Sequence, residues 1–143
     1  MIDQFYSYHV LVFKEDRVLL VKHGEKASHF ADVYGIPGGR SIDNESEKET
    51  AIRELKEETG LAVREMDLKD FTGNIYSAYI KRKKGPSGNF TMKVFTTELF
   101  AGELVGTDEA DPQWIKLSEL DNYNLLLNVK KAVLAAKRTF TKP

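Results

Sequence analysis

The sequence predicts an α+β sandwich built on a mixed β-sheet. Three observations carry this prediction. Strand-like and helix-like segments follow the order strands, helix, strands, helix. One helical stretch in the first half has both start and stop signals. An amphipathic helical stretch lies near the C-terminal end.

Residues 4–13 are rich in β-branched and aromatic side chains and read as a strand. Glu15 and Asp16 mark a turn, and 17–21 (Arg-Val-Leu-Leu-Val) read as a largely buried second strand, so the two form a hairpin. Residues 23–32 are polar and mixed, which predicts a loop. Residues 34–39 (Tyr-Gly-Ile-Pro-Gly-Gly) are too rich in Gly and Pro for regular structure. A helix is predicted over 46–59, with Ser46 and Glu49 spaced as a capping box and Gly60 as its stop. Two long strand-like runs come next, 68–80 and 90–100, separated by a loop over 81–89. Residues 114–117 read as a short strand, Ser118 as a cap for the segment after it, and 125–140 as an amphipathic helix.

A length of 143 residues fits one domain, here read as residues 1–143. With 41% hydrophobic and 30% charged residues the chain can build a core and stay in solution. Its net charge of -1 argues against broad nucleic-acid binding, which needs a basic surface, while leaving room for a local basic pocket. The absence of cysteine removes disulfides, thiolate nucleophiles and thiolate metal sites. No run approaches the roughly 20 apolar residues of a membrane helix, and the first residues lack a basic start followed by an apolar stretch. A cytoplasmic protein is the expectation. The oligomeric state is open, a homodimer included.

The chemistry concentrates in residues 38–61. On a helix, residues i, i+3 and i+4 share a face. Ala51, Ile52 and Leu55 would therefore pack on the sheet, and Glu54, Glu57 and Glu58 would line an adjoining edge. Like charges at this spacing destabilise a helix by a few tenths of a kcal/mol per pair, and they resist joint ionisation unless a cation joins them. Mg²⁺ or Mn²⁺ would relieve that repulsion, because hard cations prefer oxygen ligands and keep positions open for water and phosphate. Arg53 could orient one glutamate by a bidentate contact. An isolated Glu-Glu pair is ordinarily just a solvated acidic face, since glutamate favours helices.

The full spacing says more. Gly39, five residues, Glu45, seven residues, Arg53-Glu54-Leu55, one residue, Glu57-Glu58, one residue and Gly60-Leu61 resembles the Nudix box at every defining position. With each residue type at roughly 5–10% in average proteins, chance agreement at all of these falls far below about one in a million. The chain is thus similar to the Nudix hydrolase family, on this box, on Pro37-Gly38 before it, and on an acidic pair preceding Trp114. The resemblance implies a Nudix-type α/β/α sandwich and hydrolysis of nucleoside diphosphates linked to another group. It implies that Glu54, Glu57 and Glu58 bind the metal, with the Gly38 carbonyl as a further ligand. Arg53 would orient Glu54, and Gly39 and Glu45 would support the loop or an outer metal shell. Asn44 stands where many members have glycine before the first box glutamate. Asparagine tolerates left-handed backbone angles, so the turn is expected to be kept.

The implied reaction is attack of water at phosphorus, with a carboxylate taking the proton. Glu57 and Glu58 are candidates for that base, as are Asp108 and Glu109 from a late loop. A complete box speaks against the branch that attacks a sugar carbon, and the lack of cysteine against the isoprenoid isomerase branch. The substrate is less legible. The ADP-ribose group carries a proline 15 or 16 residues after the box, where this chain has Tyr76 and Ser77. Its long N-terminal extension is also missing. Tyr79 stands where diadenosine-polyphosphate enzymes show a base-stacking tyrosine, though a strand aromatic commonly just packs on a neighbour. A chain of this size also resembles enzymes that hydrolyse oxidised nucleoside triphosphates. Lys22, Lys26 and Arg40 are candidates for phosphate contacts. The Lys81-Arg82-Lys83-Lys84 run is either a solvated hairpin tip or a holder of distal phosphates or of an RNA 5′ end. His9, His23 and His29 lack a metal-binding spacing. The competing class is a non-catalytic nucleotide-binding module, which would be expected to have lost box carboxylates.

Overall fold

The computed structural model describes residues 2–23, 32–82 and 84–141. Strands β1 (Gln4–Lys14) and β2 (Arg17–His23) form the expected antiparallel hairpin, with Glu15 in the left-handed region at φ 55°. β3 (Tyr34–Gly35) pairs with β2, and β4 (Gly38–Gly39) pairs with β1, both antiparallel. After helix α1 (Glu47–Thr59), β5 (Ile75–Ile80) and β6 (Gly88–Thr97) run antiparallel to each other. β6 lies parallel to β1, from Gln4 opposite Asn89 to Val12 opposite Thr97. β7 (Ala110–Lys116) adds antiparallel to the other side of β2, ahead of helix α2 (Val129–Lys137). One parallel pairing among antiparallel ones makes the sheet mixed, so the α+β prediction holds.

Both sheet faces are covered. On one, Val10, Val12, Leu19 and Phe95 pack against Ala51 and Leu55 of α1 and against Leu61, Val63 and Leu68. On the other, Leu11, Phe13, Val18, Leu20, Val94 and Ile115 pack against Val129, Ala132, Val133 and Ala136 of α2. Adjacent residues of β1 and β2 thus serve opposite cores, which is why these strands read as continuous apolar runs. Burying each such Val, Leu or Phe contributes roughly 1.5–3 kcal/mol.

Several boundaries differ from the prediction. The Gly- and Pro-rich segment 34–39 does form strand pairs, because its glycines let backbone and rings come close. A Cβ on Gly38 would lie 2.2 Å from His9 Nδ1, and one on Gly35 2.9 Å from Leu126. The run 68–80 is strand only from Ile75. Lys69 opposes Thr96 and Ile75 opposes Lys93, so six steps on one strand meet three on the other, and a turn with Gly73 at φ 80° takes up the excess. β7 begins four residues before the predicted 114, with Pro112 tolerated because β7 is an edge strand. Helix α2 starts at Val129 rather than 125. Residues before it give their backbone bonds to β3, and Asn128 takes a left-handed φ of 72°. Ser118 caps nothing; it lies inside a short 3₁₀ segment, Leu117–Asn122. The left-handed residue of the box turn is Asp43, at φ 51°, rather than Asn44. The predicted loop over 23–32 falls mostly outside the described residues. Among the described residues, no helix is long and apolar enough to cross a membrane.

Candidate active site

Helix α1 is placed by local signals. Ser46 Oγ accepts the Glu49 amide at 3.1 Å, and Glu49 Oε1 accepts the Ser46 amide at 2.9 Å, closing the capping box. At the other end Gly60, at φ 84°, donates its amide to the Lys56 carbonyl. With Thr50, Ala51, Leu55 and Thr59 buried, the edge bearing Arg53, Glu54, Glu57 and Glu58 is turned toward β4.

Arg53 organises this edge. Its Nε and Nη2 donate to Glu45 Oε2 and Oε1 at 2.7 and 3.1 Å. Nη1 donates to Glu54 Oε1 at 2.9 Å and to Glu57 Oε2 at 3.2 Å. Nη2 also reaches the Arg40 carbonyl at 3.0 Å. One guanidinium thereby ties three carboxylates to the loop after β4. Its hydrogen bonds are the main reason the Glu45 carboxyl is held down at about 2, aided by the Ile42 amide and the Thr50 hydroxyl.

The remaining carboxyls sit against the two glycines. A Cβ on Gly39 would come within 2.5 Å of the Glu54 carboxyl carbon, so only glycine leaves that carboxylate its place. Burial pushes Glu54 up, against the pull of Arg53. The Gly38 amide donates to Glu58 Oε2 at 3.2 Å. Burial, chiefly, pushes Glu58 up to about 8; the Gly38 amide opposes this, and the charges of Glu54 and Glu57 add to it. Glu57 is the open member, with its side chain 58% exposed. Among the described residues no three His, Asp or Glu side chains converge on one point as a metal cluster. Glu54 and Glu57 are drawn to Arg53, and Glu58 to Gly38.

His9 holds the chain just before β4 from the far side of the sheet. His9 Nδ1 donates to the Ile36 carbonyl at 2.9 Å, which leaves Nε2 to accept from the Ser7 hydroxyl at 2.7 Å. Burial pushes His9 down to about 4, so the ring is neutral near pH 7. Sequence reasoning gave His9 no role. The one signal was a polar ring inside an otherwise apolar strand.

The structure therefore brings Gly38, Gly39, Arg40, Glu45, Arg53, Glu54, Glu57 and Glu58 together. Other candidates stand elsewhere. Lys22, on β2, is paired with Asp32 at 3.3 Å. Tyr79 is 57% exposed on β5, opposite Asn89. Asp108 and Glu109 lie in the exposed loop before β7, where the Glu109 amide donates to Thr107 Oγ1. Lys26, His29 and Lys83 fall outside the described residues.

Comparison with known proteins places this geometry. The model of the NUDIX domain matches residues 5–140. An ADP-ribose pyrophosphatase of Methanocaldococcus jannaschii is 30% identical over 111 residues, which are 77% of this chain and 60% of that protein. An oxidized purine nucleoside triphosphate hydrolase of Danio rerio is 33% identical over 112 residues, 78% of this chain and 65% of that protein. The chain thus spans less than two thirds of the length of these relatives. A MutT NUDIX hydrolase from Burkholderia pseudomallei shares the fold, with a TM-score of 0.76, 21% identity and coverage of 93% of this chain and 98% of that one. With the family model spanning nearly the whole sequence and the box residues gathered where α1 meets β4, the chain belongs to the NUDIX domain family.

Proposed function

We propose that the chain is a pyrophosphohydrolase, dependent on Mg²⁺ or Mn²⁺, that cleaves a diphosphate linkage in a nucleotide by attack of water at phosphorus. The observation that carries this reading is the Arg53-ordered acidic edge facing Gly38 and Gly39. The donor set fits a hard divalent cation. It offers oxygen donors only, with one partly buried carboxylate (Glu58) pushed up to about 8 beside two further glutamates. Glu54, Glu57 and Glu58, with the Gly38 carbonyl, would hold the ion. Such an ion neutralises phosphate oxygens and makes water a better nucleophile.

The chain's own groups do the rest. Arg53 keeps Glu54 in place and offsets part of the negative charge of the edge. Gly39 leaves space beside Glu54. Glu45 fixes the turn that carries the edge, through the Ile42 amide and Arg53. Glu57, the carboxylate most open to solvent, is placed to take the proton from water; Glu58 and Glu109 are the other acceptors to test.

For the substrate, the two relatives point to ADP-ribose and to an oxidised purine nucleoside triphosphate. Tyr76 and Ser77, at the positions where the ADP-ribose group has proline, favour the triphosphate. Tyr79, exposed on β5 and by strand alternation on the sheet face of α1, keeps the diadenosine-polyphosphate reading as the alternative. Phosphate release should be followed with Mg²⁺ across ADP-ribose, diadenosine polyphosphates, ordinary and oxidised triphosphates and 5′-triphosphorylated RNA. Turnover that is lost in Glu57→Gln and Glu58→Gln, with folding kept, is expected. Tight nucleotide binding without turnover on any of them would replace the enzyme by a binding module. The base is the carboxylate whose replacement lowers kcat most at saturating Mg²⁺ and removes the acidic limb of the pH–rate profile.

A further inference from the structure

We propose that strand β5 is a docking edge for a second copy of this chain. The two β5 strands pair antiparallel about a two-fold axis at Ser77, and one sheet runs through both copies. The pairing does not depend on the proposed reaction. The Val94 amide donates to the Asn74 carbonyl at 2.9 Å, in line with the β5–β6 register that sets Ile75 opposite Lys93. Residues of an antiparallel ladder alternate between bonding their neighbour and turning away from it. Tyr76, Ala78 and Ile80 therefore bond β6, while Ile75, Ser77 and Tyr79 point their N–H and C=O groups outward. β6 agrees: the amide of Asn89, the partner of Tyr79, donates to the Asp3 carbonyl, on the β1 side. β5 ends the strand order, and among the described residues no strand or backbone hydrogen bond meets its outer side. The same residues are the exposed ones of the strand, with Ile75 at 59% and Tyr79 at 57%.

An open edge is a template for strand pairing, and native proteins blunt it by shortness, proline, charge or a bulge. This chain does so elsewhere. β3 is two residues long, and β7 carries Asp111 and Pro112. β5 has none of these devices. Its Ile-Tyr-Ser-Ala-Tyr-Ile holds no proline and no charge, and all six residues pair with β6 without a bulge.

The order of side chains suits self-pairing. With Ser77 opposite Ser77 of the second copy, Ile75 faces Tyr79, a β-branched residue against an aromatic one, on the α1 side of the sheet. On the α2 side Tyr76 faces Ala78, so a ring meets a methyl group and not a second ring. The two-fold axis repeats each contact. The antiparallel direction also brings the basic end of one strand, with exposed Lys81 and Lys84, toward the end of the other that follows exposed Asp70. Lys69, beside that aspartate, is turned to the Phe140 ring. Parallel pairing would set the lysines together. Strands this short bury less than the roughly 800 Å² per partner of a standard interface, so the dimer is a micromolar one.

Sedimentation equilibrium from micromolar to millimolar protein should show a reversible passage from monomer to dimer. Over the same range, hydrogen exchange at the Ile75, Ser77 and Tyr79 amides should slow in step with the dimer fraction. The amides of Tyr76, Ala78 and Ile80, already bonded to β6, should keep their rates. Ser77→Pro removes an outward N–H and no β6 bond, so it should fold and weaken association about tenfold or more. Tyr79→Lys, which puts a charge on the edge, should weaken it as well. A monomer at every concentration overturns the proposal and leaves the edge to a different chain. A dimer that leaves the outward amides exchanging as in the monomer, or that forms as tightly in Ser77→Pro, also overturns it, because another surface then holds the copies together. If Ser77→Pro does not fold, the wild-type exchange and Tyr79→Lys decide.

Discussion

At Arg53 a single side chain holds three glutamates by hydrogen bonds, and the fork geometry makes this arginine's work rather than lysine's. Lysine offers a point charge that cannot hold Glu45 by two bonds and still reach Glu54, Glu57 and the Arg40 carbonyl. Arg53→Lys should keep the fold and lower turnover by about 10–100-fold, the usual cost of disturbing groups that orient metal ligands; steady-state kinetics at saturating Mg²⁺ measure it. His9 makes a second prediction, on pH. Its folded value of about 4 lies below the 6.5 of the unfolded chain, so the unfolded state binds more protons between those values. His9 therefore contributes full stability above pH 6.5, and that contribution fades as the pH falls toward 4. The amount is of order 2–3 kcal/mol. Glu58, pushed up to about 8, acts in the opposite sense over this range, so the test is the difference between wild type and His9→Gln, which does not titrate there: in urea denaturation from pH 7.5 to 4 the wild type's advantage should shrink as the pH falls. The box residues were legible because the chemistry forces their spacing along one stretch of chain. His9 was not, because it acquires meaning from a distant partner, the Ile36 carbonyl.

For the elements, legibility follows how local the determining forces are. Helix α1 was readable to within one residue because Ser46, Glu49 and Gly60 satisfy its ends from within its own sequence. Ser46→Ala should thus cost about 1 kcal/mol, seen as a lower urea midpoint with unchanged slope. Gly60→Ala should cost more than that. The residue is at φ 84°, and the new Cβ would lie 2.7 Å from the Glu103 carbonyl oxygen. β3, β4 and the first half of β7 were missed for the opposite reason. Their sequences are poor in β-formers, and they are strands because β1 and β2 offer them edges. β5 was read too long because Leu68 and Phe71 are apolar for the sake of burial, outside the β5 strand, with the turn at Gly73 between them and Ile75.

The whole molecule places a charged site where two cores meet. α1 is fixed by the core on one face of the sheet, and β4 is fixed by β1 and by His9 on the other, so the acidic edge and the glycine pair are held by separate packings. Both are held in place, with Glu54 and Glu57 bonded to Arg53 and Glu58 to the Gly38 amide. A cation that binds only the folded state adds stability by mass action, about 3 kcal/mol at a hundred times its Kd. For a domain of this size that is a rise in Tm of roughly 10 °C. Mg²⁺ should therefore raise the Tm of the wild type in proportion to the logarithm of its concentration, and Glu58→Gln should lose most of that rise. Without Mg²⁺ the order should reverse. At pH 8.5 the variant replaces a buried, repelled carboxylate by a neutral amide that can still accept the Gly38 amide, so its Tm should equal or exceed the wild type's. A Glu58→Gln protein that melts lower in metal-free buffer and gains as much from Mg²⁺ would show that this carboxylate serves the fold and has no part in holding the ion.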